Sequence, residues 1–196
     1  ESFGDTVQWE LIPENAIKKV DLMSSNPAFG LNALGGSIAL TTKKGLDYKN
    51  EELYLNNNVK LGSHAYHSET FEFATVANDI GIYSSLEKAS DGGWRDHSEG
   101  KIGRFFSNLE HEKENYNINF TILGAETNLN GNGVTPVELL HVDRSSVFTW
   151  PDNTTNKVLM MTGTGSYFTQ NDSILTANLY VRRLFRNTFN ADEVDA

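Results

Sequence analysis

The strongest constraint in this chain is a period of two. From Glu51 onward, apolar and polar residues alternate in runs of roughly ten, separated by polar turns. Leu53, Leu55, Val59 and Leu61 share one face, and Asn56, Asn58 and Lys60 share the other. Phe71 and Phe73 oppose Thr70, Glu72 and Ala74; Ile80, Ile82 and Leu86 oppose Tyr83, Ser85 and Glu87. Phe105 and Leu109 oppose Arg104, Asn108 and Glu110. Tyr116, Ile118, Phe120 and Ile122 oppose Asn117, Asn119 and Thr121. Leu175, Ala177, Leu179 and Val181 oppose Thr176, Asn178, Tyr180 and Arg182. Residues 101–111 alternate less cleanly than the rest, and 158–168, with Met and Thr on both faces, assigns no register. The pattern predicts a mainly β chain of about seven antiparallel strands, each long enough to span a bilayer when tilted.

The connections add a second regularity. Those at 77–79, 111–115 and 170–172 are short, whereas those at 88–100 and 128–156 are long. Short turns at one end and long loops at the other are the habit of transmembrane barrels. The connection at 62–67 is short for the long-loop end. Charge and cysteine usage narrow the field further. A net charge of −10 with scattered basic residues argues against nucleic acid as a partner. With no cysteine there is no disulfide framework and no thiolate metal site. No apolar run is long enough for a transmembrane helix, which leaves transmembrane strands open.

Catalytic chemistry has little footing. No nucleophile motif is present. Glu110, Glu112 and Glu114 read as a solvated turn, because charge clusters mostly face water. Glu138, Asp143 and Asp152 lack the spacing of a calcium loop. Gly30-x-x-x-x-Gly35-Gly36-Ser37 lacks the lysine of a phosphate-binding loop. The expectation is a chain without catalytic residues, metal or cofactor, and not an enzyme.

Before the alternating region, Pro13 suits the first position of a helical turn, and 18–23 alternates as a half-buried strand does. A glycine-bearing loop follows, and Ser37 to Thr42 fits a buried strand. In this stretch Ile12-Pro13, Ile17 and Val20-x-Leu22 precede Asn26-Pro27, Phe29-Gly30, Gly35-Gly36 and Thr42-Lys43. That order and spacing resemble the end of the plug domain of TonB-dependent receptors of the bacterial outer membrane. Asp91-Gly92-Gly93-Trp94-Arg95-Asp96-His97-Ser98, Gly131-Asn132-Gly133-x-x-Pro136-x-Glu138-Leu139 and Pro151-Asp152-x-Thr154-x-Asn156 look like loop segments of one group of these receptors.

The resemblance implies a fragment cut at both ends. Residues 1–46 would be the C-terminal part of the plug, and 47–196 the first seven strands of a barrel that has about 22 in the family. It implies energy-coupled uptake of a scarce nutrient, a ferric siderophore foremost. The partners would be that small-molecule ligand, outer-membrane lipid, and TonB through a segment outside this chain. Phe29, Leu31 and Asn32 would lie at the plug apex, with Trp94, Arg95 and Trp150 in the outer loops, all as ligand contacts. The rival reading is a non-transport β protein, an adhesin or soluble binding module, whose apolar faces pack into a core and give the same alternation. Residues 1–196 expressed alone are expected to form inclusion bodies or need detergent, because open strand edges and an apolar outer face aggregate in water. A soluble monomer with cooperative unfolding would favour the rival.

Overall fold

The structure, a computed structural model, describes residues 7–24, 36–171 and 173–191. Strand accounts for 62% of the described residues and places the chain in the mainly β class. Two 3-10 turns, Trp9–Leu11 and Glu14–Ala16, lead into β1 (Ile17–Met23), which pairs antiparallel with β2 (Ser37–Thr42). Pro13 stands immediately before the second turn, where its fixed φ and missing N–H cost nothing. A third 3-10 turn, Gly45–Tyr48, connects this small sheet to the large one. β2 is less covered than its composition suggests: no residue of it is fully buried, and Ile38 and Thr41 are exposed. Among the described residues it pairs with β1 alone.

The large sheet is a seven-stranded antiparallel meander in chain order. Its strands are β3 (Tyr54–Leu61), β4 (His67–Ala77), β5 (Ile80–Asp91), β6 (Gly100–Lys113), β7 (Tyr116–Gly131), β8 (Asp152–Phe168) and β9 (Ile174–Phe189). The β4–β5 turn places Asn78 and Asp79 both at positive φ, as the twist of a two-residue hairpin requires. At the opposite end the strands run further than the alternation reveals, so the loops shorten to 92–99 and 132–151. The longer of these carries α1 (Val137–Val142), whose residues are all at least partly exposed.

Unbroken register carries the two faces across all seven strands. One row runs Asn56, Glu72, Ser85, Phe106, Leu123, Met160, Arg182; the next runs Asn58, Thr70, Glu87, Arg104, Ala125, Val158, Leu184. Both belong to the face that the sequence marks as polar. The row between them, on the other face, reads Asn57, Phe71, Leu86, Phe105, Gly124, Leu159, Arg183. The ambiguous β8 resolves with Asn156, Val158 and Met160 on the polar side and Leu159 and Met161 on the apolar side.

Burial is inverted relative to an ordinary sheet. Every fully buried strand residue lies on the polar face, among them Glu72, Tyr83, Arg104, Phe106, Asn108, Glu110 and Asn156. Leu55, Phe71, Leu86, Phe105, Leu109, Ile118, Phe120 and Leu159, on the other face, are exposed. What covers the polar face is the chain before β3. Leu11 packs on Ala125 and Val158, and Ala16 packs on Ala74, Tyr83 and Phe106.

One glycine pair sets how closely this cover can approach. A Cβ on Gly45 would stand 2.0 Å from the carbonyl carbon of Gly81, and a Cβ on Gly81 would stand 2.4 Å from the nitrogen of Leu46. The two backbones touch, which only glycine permits on both sides. Gly45→Ala is therefore expected to cost about 2 kcal/mol or more by forced displacement. Gly103→Ala, whose added Cβ meets nothing within 4 Å, should stay within about 0.5 kcal/mol of the parent. Denaturant unfolding checks the pair, and equal stabilities would mean that the two backbones do not need the close approach.

Candidate functional site: the covered polar face and the interlocked loops

The site is built around Lys43-Lys44-Gly45, three successive residues that straddle three strands. Lys43 Nζ donates to Glu72 on β4, and Lys44 Nζ donates to Glu110 on β6 at 2.9 Å. Between them Gly45 rests on Gly81 of β5, and its N–H donates to Asn108 Oδ1 at 3.3 Å. Extended backbone at Lys44 explains the fan, since successive side chains of an extended chain point to opposite sides.

Glu72 is the most heavily used carboxylate. Its side chain is 6% exposed, and it accepts from Lys43, from the Tyr83 hydroxyl and from Asn56 Nδ2. A buried carboxylate needs such partners, because an unpaired one costs several kcal/mol. Tyr83 Oη also lies 3.1 Å from the Asn15 carbonyl oxygen, so the same centre reaches a second part of the cover. Above it, the rings of Tyr83 and Tyr48 stack at 5.8 Å, and Tyr48 contacts Tyr54 at 4.6 Å. Burial, with Tyr54 and Glu72 adding repulsion, pushes the Tyr48 hydroxyl up to about 12.

A second centre surrounds Arg104. Its Nε donates to the Glu10 carbonyl at 2.7 Å and its Nη1 to Glu87 at 3.0 Å, with Glu14 at 3.9 Å. Asn156 Nδ2 donates to Glu10 Oε1 at 3.2 Å and to Thr127 Oγ1 at 3.3 Å. Glu110 corrects the sequence reading of the 110–114 acidic group. It is 4% exposed and ion-paired, whereas Glu112 and Glu114 are exposed. Alternation through β6 points it at the cover, a contact that only the distant Lys44 discloses.

The expected ligand contacts fall in two groups. Phe29, Leu31 and Asn32 lie outside the described residues. Trp94, Arg95 and Trp150 sit in the two long loops, which are tied to each other. Arg95 Nη2 donates to Thr135 Oγ1 and to the Ser146 carbonyl, both at 2.6 Å, and Asp96 N–H donates to the Ser145 carbonyl at 3.0 Å. The guanidinium is thus engaged in holding loop to loop, and lies 5.7 Å from the Trp94 ring. Trp150 stacks on His97 at 4.0 Å, and its own ring is exposed.

Asp143 closes a local turn on the N–H and hydroxyl of Ser145, which hold its carboxyl below the usual carboxylate range. Trp94, exposed, lines a polar depression of about 440 Å³ with Tyr66, Asp91, Ser98 and Asn132. Trp94 thus lines this depression, while Trp150 of the longer loop stacks on His97 of the shorter one. Comparison with protein-family models, with curated proteins and with solved structures finds no match to this chain.

Removing Glu72 tests the covered face. Glu72→Ala leaves Lys43 and Tyr83 facing a void, and is expected to weaken docking of the cover by about 3 kcal/mol. The chain has no cysteine, so one placed at Leu46 reports exposure by its rate of maleimide labelling. Labelling should accelerate in Glu72→Ala and stay unchanged in Glu126→Ala, which removes an exposed pair with Lys157. Equal rates would mean that Glu72 does not hold the cover.

Proposed function

We propose that this chain is part of a TonB-dependent outer-membrane receptor, with the segment before β3 as the end of its plug and the seven-stranded sheet as the start of its barrel. Its function is energy-coupled uptake of a scarce nutrient, a ferric siderophore being the expected cargo. One observation carries the reading: the buried face is charged and polar and is covered by the chain's own preceding segment, while the apolar face is uncovered. A soluble adhesin or binding module would bury the apolar face instead, because that is the favourable direction of transfer in water.

The dimensions agree. On the apolar face a charged row, Glu69, Lys88, Glu126 and Lys157, crosses the strands toward the long loops. From that row to the short turns each strand runs about ten residues, roughly 34 Å along the strand and about 25 Å in height when tilted. Tyr116 and Tyr167 pair at the short-turn end, where interfacial aromatics belong. The residues between include Phe71, Leu86, Phe105, Leu109, Phe120, Leu159 and Leu179, which suit lipid.

In this reading, ligand arrives at the long-loop end. The exposed rings of Trp94 and Trp150 offer stacking surface there, and Arg95 keeps the two loops together instead of supplying a free cation. The plug residues Phe29, Leu31 and Asn32 would meet the ligand from below. Entry requires the plug to rearrange, and ligand alone shifts that equilibrium only by its differential affinity. An external energy source, TonB, supplies the rest.

Arginine scanning of the intact protein tests the membrane assignment. Phe120→Arg, mid-band on the apolar face, is expected to cost roughly 2–4 kcal/mol, with far less for Asn119→Arg on the polar face. Folding into vesicles, followed by gel mobility, measures both, and equal tolerance would favour the soluble module. Growth of a deletion strain on defined iron, cobalamin and sugar sources identifies the cargo, and loss on a non-iron source alone would overturn the siderophore.

A further inference from the structure

The apolar face is not uniform. At its upper edge Gly103 and Gly124 bring two adjacent strands to the surface without side chains, and a Cβ on Gly103 would meet nothing within 4 Å. The result is a depression of about 650 Å³, within the range of small-ligand sites. Below the glycines its walls are Phe71, Leu86 and Phe105. Above them it opens onto Lys88, and a second depression continues from there to Lys101. The surface therefore changes from an apolar trough to a charged rim of Lys88, Lys101 and Lys157 with Glu69 and Glu126, net positive by one, and an apolar floor beside a charged rim is the profile of an amphiphile.

The sign of the rim is set by which charges are already engaged. Lys157 is paired with Glu126 at 2.6 Å. Among the described residues Lys88 and Lys101 have no ion pair, although Glu69 stands opposite Lys88 in register. Lys88 faces Gly103 and Lys101 faces Ser90, so the two lysines are diagonal neighbours on β5 and β6, about 7 Å apart at the backbone. Lys101 stands directly between Ser90 and Asn128, with Glu126 diagonal to it on β7 and no ion pair between them among the described residues. Three lysines against two glutamates leave the rim cationic. Two ammonium groups at that spacing can share one phosphate through charge-assisted hydrogen bonds.

We propose that this trough binds one phosphorylated, net-anionic lipid of the leaflet nearest the long loops. Its acyl chain lies on the glycine floor against Phe71, Leu86 and Phe105, and its phosphate rests on Lys88 and Lys101. The inference depends on the membrane reading above, since only a bilayer brings lipid to this face. It goes beyond that reading by singling out one place on the band. Elsewhere the band would meet lipid as solvent; here shape and charge select a headgroup.

The test uses the full-length protein purified in detergent, supplied with phosphatidylglycerol or phosphatidylcholine and examined by native mass spectrometry. The parent protein is expected to retain one phosphatidylglycerol in preference to phosphatidylcholine. Lys88→Gln/Lys101→Gln should lower that retention by at least about tenfold, since each lysine near an anionic headgroup contributes on the order of 1 kcal/mol. Gly103→Leu should lower it as well, by filling the trough while leaving both charges in place. Equal retention of the two lipids, or retention unchanged in both variants, would overturn the site. A protein that stays soluble without detergent would overturn the membrane reading itself, so the two failures are distinguishable.

Discussion

The structure depends on how Lys43, Lys44 and Gly45 occupy the polar face of the sheet. Glu72 and Glu110 sit on strands flanking β5, and one lysine of the consecutive pair goes to each. Gly45 settles on Gly81 between them, with its N–H on Asn108. Neither partner is stable alone in its buried form. Two carboxylates without the lysines would be unpaired charges, and two lysines without the carboxylates would have no reason to lie against the sheet. Placement of the remaining cover follows, because Tyr83 and Arg104 reach Asn15 and Glu10 only when the chain before β3 is already held in this position.

The faces of the sheet were legible in the sequence because a strand's side chains alternate strictly, and a one-residue slip would exchange the two faces. Asn56, Glu72, Arg104, Asn119 and Arg182 therefore fall on one face as their neighbours imply. β8 was not legible, since Met and Thr suit either environment and its register is inherited from β7. Glu110 was misread for a different reason. Three alternate glutamates look like a solvated turn until Lys44, distant in sequence, is brought onto one of them. Long-range ion pairs leave no local trace, and neither does the backbone contact of Gly45 with Gly81. The loop residues were legible as a group, but the engagement of Arg95 with Thr135 and Ser146 depends on a second loop folding over the first.

Interlocking of the two long loops has its own consequence. Arg95 and Asp96 tie the shorter loop to 135–146 of the longer one, and His97 stacks on Trp150 near the longer loop's far end. Contacts at both ends of the longer loop join the two into one surface. Under the proposed function, a ligand stacked on Trp94 or Trp150 would therefore meet one joined surface instead of two independent loops.

Chemistry of the covered face bears on why it is ionic at all. Buried ion pairs are weak stabilisers, and well-packed apolar residues of similar volume are often neutral or better. An apolar seam between cover and sheet would nevertheless expose its whole area to water whenever the cover moved. A face of Glu72, Glu110, Arg104, Asn108 and Asn156 is instead wettable: each group exchanges a protein partner for water when the cover leaves. Under the proposed transport function the cover must be held firmly and still be removable by mechanical work. Ionic and amide contacts meet both requirements, because water recovers most of their energy once the seam opens. Among the described residues the apolar contacts that remain are Leu11 on Ala125 and Val158, Ala16 on Ala74, Tyr83 and Phe106, and Tyr48 on Tyr54 and Tyr83. They position the cover without locking it.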